Sequence, residues 1–162
     1  MSDKRAKKSK REDIPAAAVS RLLKSGVSGT IRVSSPAIQS ALGLVNAYVS
    51  KAGKEAAKVS GASKMSTIKD RHAEVALLNP CVGVDEANLK FVDHKTRGLP
   101  VAGVARVFRG ANNLRVSAVV EKMATAAAEA YLETLGRRAA MITMAAKRQT
   151  ISEADIKAAA AF

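Results

Sequence analysis

Apolar residues recur at steps of three and four along two long segments of the chain, residues 38–59 and 120–142. Such spacing is typical of amphipathic helices that bury one face. Ser35 and Pro36 provide a cap and a first helical position for the first segment, and Ser117 caps the second. We therefore predict two long helices.

A short helix is predicted on each side of both long helices. Pro15 opens the first and Pro100 its counterpart in the second half. Residues 67–70 and 150–153 have the form of capping boxes, in which Thr67 and Thr150 cap the last short helices. The many alanines suit long helices that cross at close range. We expect the following residues in the core or at that crossing: Tyr48, Met123, Tyr131, Met141 and Met144.

The second half of the chain repeats the first. A shift of 83 positions places residues 32–34 on 115–117, Tyr48 on Tyr131 and residues 67–68 on 150–151, without a gap; further upstream the shift is 85. Each copy alone is about the size at which an isolated core is marginal, so the two are expected to pack on each other. We predict a disordered basic tail (1–13), a first unit (14–78), a connector (79–98) with one helical turn at residues 85–91, and a second unit (99–162).

Charge narrows the class of partner. The formal net charge is +13 and the isoelectric point is near 10.2, which favours a polyanion, either nucleic acid or an anionic membrane surface. Aromatic residues make up 3% and tryptophan is absent, which argues against binding by base stacking. No apolar run reaches the length of a membrane span, so we expect no membrane insertion.

The sequence does not predict an enzyme. Cys81 is the single cysteine, and His72 and His94 show no metal-ligand spacing. Asp70, Glu153 and Asp155 fit helix caps or ion pairs better than acid–base catalysis. We expect no catalytic residue, metal, cofactor or small-molecule substrate.

The doubled short-long-short plan, with Arg-Val-Ser before each long helix and Lys-x-x-Thr-Ile before each last helix, resembles the histone fold. Two such units in one chain resemble the fused histone doublets of giant DNA viruses and, less closely, those of some archaea. The first unit is similar to the type-2B histone at Ser34-Ser35, residues 66–68 and Arg71. The second begins like type 2A at residues 99–101 and continues more like type 3 around residues 129–132. We favour a 2B–2A-like pair over a 4–3-like one.

The resemblance implies an all-α, intramolecular head-to-tail handshake in which the first loop of each unit lies beside the second loop of the other. It also implies contacts with double-stranded DNA at these two loop pairs and at a central site where the first short helices begin. The implied loop contacts are Thr30, Arg32, Lys147, Arg148 and Thr150 at one end and Lys64, Ser66, Thr67 and Arg115 at the other. The implied central contacts are Arg21, Lys24, Arg106 and Arg109.

The function implied is a histone doublet that binds, bends and compacts DNA without sequence preference in a nucleosome-like particle. Its partners are DNA and other histones or a second doublet, and the particle is expected in a virion or viral factory, or otherwise in a nucleus. The alternative is a histone-fold transcription-factor subunit; such proteins often lack the loop arginines and are nearer neutral.

Two departures from the family pattern affect these expectations. Arg148 and Asp155 match the family's structural ion pair, whereas Met65 and His72 occupy the same places in the first unit. Losing both charges together costs less than stranding one. Glu129 matches one position of the type-2A acidic surface patch, but Thr134 and Arg137 stand at two others.

Overall fold

The computed structural model describes residues 14–27, 29–78, 98–110 and 114–161. These residues form two units, each with a short, a long and a short helix. The helices are α1 (Ala16–Ser25), α2 (Ser35–Ala62), α3 (Asp70–Leu78), α4 (Val101–Arg109), α5 (Ala118–Ala145) and α6 (Glu153–Ala160). Two-residue strands flank the long helices: β1 (Arg32–Val33), β2 (Thr67–Ile68), β3 (Arg115–Val116) and β4 (Thr150–Ile151). The all-α prediction is confirmed. The expected tail and nearly all of the connector lie outside the described residues.

Serine hydroxyls cap both long helices. The Ala37 N–H donates to Ser34 Oγ at 3.3 Å, and the Val120 N–H donates to Ser117 Oγ at 3.4 Å. The prediction of Ser117 is correct, but that of Ser35 is wrong by one residue, because Ser35 is already the first residue of α2. The two equivalent caps fix the direction in which each long helix leaves its loop.

The short strands join the two units head to tail. β1 pairs in parallel with β4, with Arg32 opposite Thr150, and β2 pairs in parallel with β3, with Thr67 opposite Arg115. The first loop of each unit therefore lies beside the second loop of the other.

No helix in the described part of the chain is long and apolar enough to span a bilayer.

The predicted caps Thr67 and Thr150 are wrong, because both threonines belong to strands. Ser152 caps α6 instead, and its hydroxyl accepts from the Asp155 N–H while the Asp155 carboxylate accepts from the Ser152 N–H. The sequence allows two overlapping boxes here, Thr150 with Glu153 and Ser152 with Asp155. Because Thr150 is paired with Arg32 in the strands, the box that forms is the one between Ser152 and Asp155.

The long helices cross at the centre of the molecule. The rings of Tyr48 and Tyr131 stack there, with centroids 4.8 Å apart and planes 6° from parallel. The Tyr48 hydroxyl donates to the Leu77 carbonyl at 2.8 Å, and burial raises the pKa of Tyr131. The two tyrosines lie in this crossing, as predicted.

Glycine allows each long helix to meet the first short helix of the other unit. A Cβ on Gly53 of α2 would lie 1.9 Å from the Phe108 carbonyl oxygen, at the end of α4. A Cβ on Gly136 of α5 would lie 2.1 Å from the Leu23 carbonyl oxygen, at the end of α1. These equivalent contacts bring the backbones of the two units together.

The prediction that three methionines fill the core holds for one of them. Met123 is 7% exposed, whereas Met141 and Met144 are 67% and 51% exposed. The spacing of these two residues follows the helix period, but they lie in the last two turns of α5, where their side chains project to the surface.

Candidate nucleic-acid interface

The β1–β4 edge brings together the loop residues expected at the first end of the interface. The Arg32 N–H donates to the Gln149 carbonyl at 3.0 Å, and the Ser34 N–H donates to the Ile151 carbonyl at 3.1 Å. The side chains of the five residues expected here are all exposed: Thr30, Arg32, Lys147, Arg148 and Thr150. Two hydroxyls and three cations therefore share one accessible surface.

The β2–β3 edge repeats this arrangement at the second end. The Arg115 N–H donates to the Ser66 carbonyl at 3.2 Å, and the Ser117 N–H donates to the Ile68 carbonyl at 3.3 Å. Lys64, Ser66 and Arg115 are exposed and Thr67 is partly buried. The two edges thus share a lysine, a threonine and an arginine at equivalent positions.

Both edges contain a lysine in left-handed backbone conformation. Lys64 has φ 54° and Lys147 has φ 56°, each directly after the end of a long helix. Their N–H groups and those of the next residues bond back to the helix in the pattern of a Schellman motif, in which glycine is the usual residue. A side chain in this conformation costs about 1 kcal/mol or more. Lysine therefore occupies two positions where glycine would be more stable.

The expected ion pair between Arg148 and Asp155 is present and supports the β1–β4 edge. Arg148 Nη2 lies 2.7 Å from Asp155 Oδ1, and Nη1 lies 2.9 Å from Oδ2. The Thr143 hydroxyl and the Ser152 N–H also donate to Oδ2, each at 2.9 Å. These bonds, the one from Arg148 above all, hold the pKa of the buried Asp155 well below its usual range. The carboxylate therefore ties the loop after α5 to the start of α6.

The first unit replaces this ion pair with a different contact. The Lys69 N–H donates to His72 Nδ1 at 3.2 Å, so the ring takes the capping place of Asp155 and its proton lies on Nε2. Arg71 Nε lies 3.4 Å from His72 Nε2. Both of these nitrogens carry a hydrogen, so neither accepts a hydrogen bond from the other and the approach is only a contact. Arg71 Nη2 donates to Met65 Sδ at 3.0 Å. The Arg71 guanidinium thus contacts both residues that replace the ion pair, Met65 and His72.

Arg71 belongs to this surface but was not among the predicted loop contacts. Its side chain is exposed, at the second position of α3 and close to β2. The sequence signal for Arg71 is the loss of the acid. Because the first unit has no counterpart of Asp155, Arg71 is not neutralised as Arg148 is. The two edges therefore differ in charge although their backbones match.

The four residues expected at the centre do not gather at the helix starts. All four are exposed, but Lys24, Arg106 and Arg109 lie in the last turns of α1 and α4. The rise of about 1.5 Å per residue puts the ends of such helices roughly 12 Å from their starts. Arg109 also forms an ion pair with Glu121, and Arg21 lies near the middle of α1. These four residues therefore do not form one cluster at the starts of α1 and α4.

Glu129, which matches one position of the type-2A acidic patch by sequence, does not lie on the surface. That side chain is 1% exposed and accepts from the Leu99 N–H at 3.4 Å. It anchors the residues before α4 instead of facing a partner.

No group of three or more metal-ligating side chains occurs among the described residues. Cys81 and His94 lie outside that range.

Residues 97–160, which include all three helices of the second unit, match the family of histone-like transcription factors (CBF/NF-Y) and archaeal histones. Among solved structures the chain is similar to the crystal structure of the histone from Methanopyrus kandleri. The two share 24% identity over 90% of this chain and 92% of that chain, with a TM-score of 0.71. The chain has the histone fold. Because the likeness spans 90% of the chain, the histone fold accounts for both units, and neither match describes an enzyme. No curated protein sequence matches the chain.

Proposed function

We propose that this chain is a histone doublet that binds, bends and compacts double-stranded DNA without reading its sequence. The observation that carries the proposal is the pair of equivalent edges, where Arg32 lies opposite Thr150 and Arg115 lies opposite Thr67. Arginine at such an edge can enter an inward-facing minor groove, while hydroxyls and backbone N–H groups bind the adjacent phosphates. Contacts of this kind recognise charge and bendability, not bases.

The lysines in left-handed conformation support the same surface. Lys64 and Lys147 keep a backbone geometry that favours glycine, and each adds an exposed cation three residues before a strand of an edge. Strain that recurs at two equivalent positions indicates a selected role. We assign these two cations, and Arg71 at the second edge, to phosphate contacts.

We further propose that the doublet works within a nucleosome-like particle, together with other histones or a second doublet. The type-2B-like and type-2A-like order of its units favours a relationship to the doublets of giant DNA viruses. The particle is then expected in the virion or viral factory for a viral chain and in the nucleus otherwise. Reconstitution on DNA followed by nuclease digestion tests this: discrete protected lengths indicate a particle, and a smear indicates coating only.

DNA binding itself is tested by the salt dependence of affinity for two duplexes of equal length and unrelated sequence. The wild type should bind both equally, and R32A/R115A should lower the slope of log K against log salt by about two. K51A/K54A removes the same charge from exposed positions on α2, away from the edges, and should change the slope less. Equal slopes for the two variants would contradict the assigned edges.

The alternative is a histone-fold transcription-factor subunit, because the description of the matching family includes such proteins. The arginine on both edges and the net charge of +13 favour a packaging role. Footprinting distinguishes the two: a regulator protects one sequence, whereas a packaging protein protects a length of any sequence.

A further inference from the structure

The last two turns of α5 present an apolar surface next to the end of α1. Met141 and Met144 are 67% and 51% exposed. Together with their neighbours they line a shallow cavity of about 230 Å³, which we call the methionine groove. Its lining residues are Gly26, Val27, Arg137, Ala140, Met141 and Met144.

The fold does not require these methionines. At the equivalent places of the first unit, 83 positions earlier, Met141 corresponds to Lys58 and Met144 to Gly61. Both of these residues are exposed on α2, which has the same length as α5. These two helix positions are therefore compatible with a lysine and a glycine, and the first unit has no counterpart of the two exposed methionines. Methionine and arginine together are enriched in protein interfaces.

Gly26 keeps the groove open. Its φ of −93° and ψ of 6° suit any residue, so the backbone does not call for glycine. A Cβ there would lie 2.7 Å from Arg137 Cγ, so the arginine stem lies against bare backbone. Among the described residues the Arg137 guanidinium makes one hydrogen bond, 3.4 Å to Thr134 Oγ1. Most of its donors remain available to a ligand.

Charge decides between the possible occupants. Lys24 precedes Gly26 by two residues, Lys147 follows Met144 by three, and both are exposed. A second copy of this chain brings the same cations and a net charge of +13, so it is repelled. Duplex DNA offers no flexible apolar groups to the methionines. An acidic polypeptide that carries long apolar side chains complements both features.

We propose that the methionine groove binds an acidic polypeptide segment. Its apolar side chains pack on Met141 and Met144, and one of its carboxylates pairs with Arg137. Methionine adapts to apolar side chains of different shape, so the groove selects a class of segment by charge and hydrophobicity. This inference goes beyond DNA binding and does not depend on it.

The test uses two fluorescent peptides with the same number of glutamates, one with leucines and one with serines between them. The wild type should bind the leucine peptide more tightly. Met141→Lys should weaken the leucine peptide at least about tenfold, because it removes one buried apolar contact. The same variant should leave the serine peptide unchanged or tighter, since it adds a cation.

The matched control is Val75→Lys, which makes the same kind of change at another exposed apolar position, 57% exposed on α3. It should not weaken the leucine peptide, and thermal unfolding should show both variants folded. Equal binding of the two peptides, or no loss of the leucine peptide in Met141→Lys, would overturn the proposal. A wild-type dimer that Met141→Lys abolishes in sedimentation would assign the groove to a second copy instead.

Discussion

One methyl group at Gly53 or Gly136 is expected to disrupt the contact between the two units. A Cβ at Gly53 would lie 1.9 Å from the Phe108 carbonyl oxygen, and one at Gly136 would lie 2.1 Å from that of Leu23. Cβ atoms in proteins essentially never approach other atoms within 3.0 Å. The obstacle is a helix backbone in both cases, so no side-chain rotation relieves the clash. The short helix must move away by roughly 1 Å, which opens the packing around it.

Two effects of opposite sign determine how much G53A and G136A change the free energy of unfolding. Overpacking a core costs about 1–3 kcal/mol, occasionally more, and movement of the backbone favours the upper end. Alanine in place of glycine inside a helix contributes about 1 kcal/mol of stability in return. We therefore expect G53A and G136A each to lower the free energy of unfolding by about 2 kcal/mol or more. For a chain of this size that corresponds to a fall in Tm of roughly 4–8 °C.

Denaturant unfolding followed by circular dichroism measures both variants against a matched control. G43A makes the same substitution in α2, where nothing lies within 4 Å of the added Cβ, so only the favourable helix term remains. It should stabilise the protein by up to about 1 kcal/mol. The reasoning is refuted if G53A and G136A are as stable as G43A, because the backbones would then not be in close contact.

Three further outcomes are expected. D155N should lower stability at neutral pH by about 2 kcal/mol. The depressed pKa of Asp155 adds stability above the unfolded pKa of about 3.9 that is lost as pH falls through the folded value, so D155N should also flatten the acid limb of stability against pH. K64G and K147G should each raise the free energy of unfolding by about 1 kcal/mol in thermal melts, yet weaken DNA binding. A lower melting temperature in these variants would contradict the inference that the left-handed backbone is strained at the two lysines. M65R/H72D should form the missing ion pair and be more stable to urea than M65R alone, and equal stability would count against a pair at this site.

The helices could be predicted from the sequence because their signals are local. Apolar spacing located α2 and α5, and the prolines before α1 and α4 marked where those helices begin. The cap of α6 was missed because two overlapping boxes fit the same stretch, and only pairing with β1 shows that Thr150 belongs to a strand. Strands of two residues carry no alternation of their own, so the edges followed from the resemblance and not from a pattern.

The features that depend on contacts between distant residues could not be predicted. Gly53 and Gly136 look like weak points in a helix until α4 and α1 are placed against them. The periodicity of Met141 and Met144 equals that of core residues, because it reports the face of a helix and not whether a neighbour covers it. Glu129 matched a surface position by sequence, but its burial depends on the packing of residues before α4.

The interlocking of the two halves also governs how the molecule loses its structure. Both strand pairs and both glycine contacts join residues of opposite units, so neither unit keeps its own edges or core when the other unfolds. Melting should therefore be a single cooperative transition whose midpoint does not change with protein concentration. Separate halves would dissociate on dilution, whereas halves in one chain stay at a high effective concentration. The covalent link thus keeps the paired state intact even when very few copies are present.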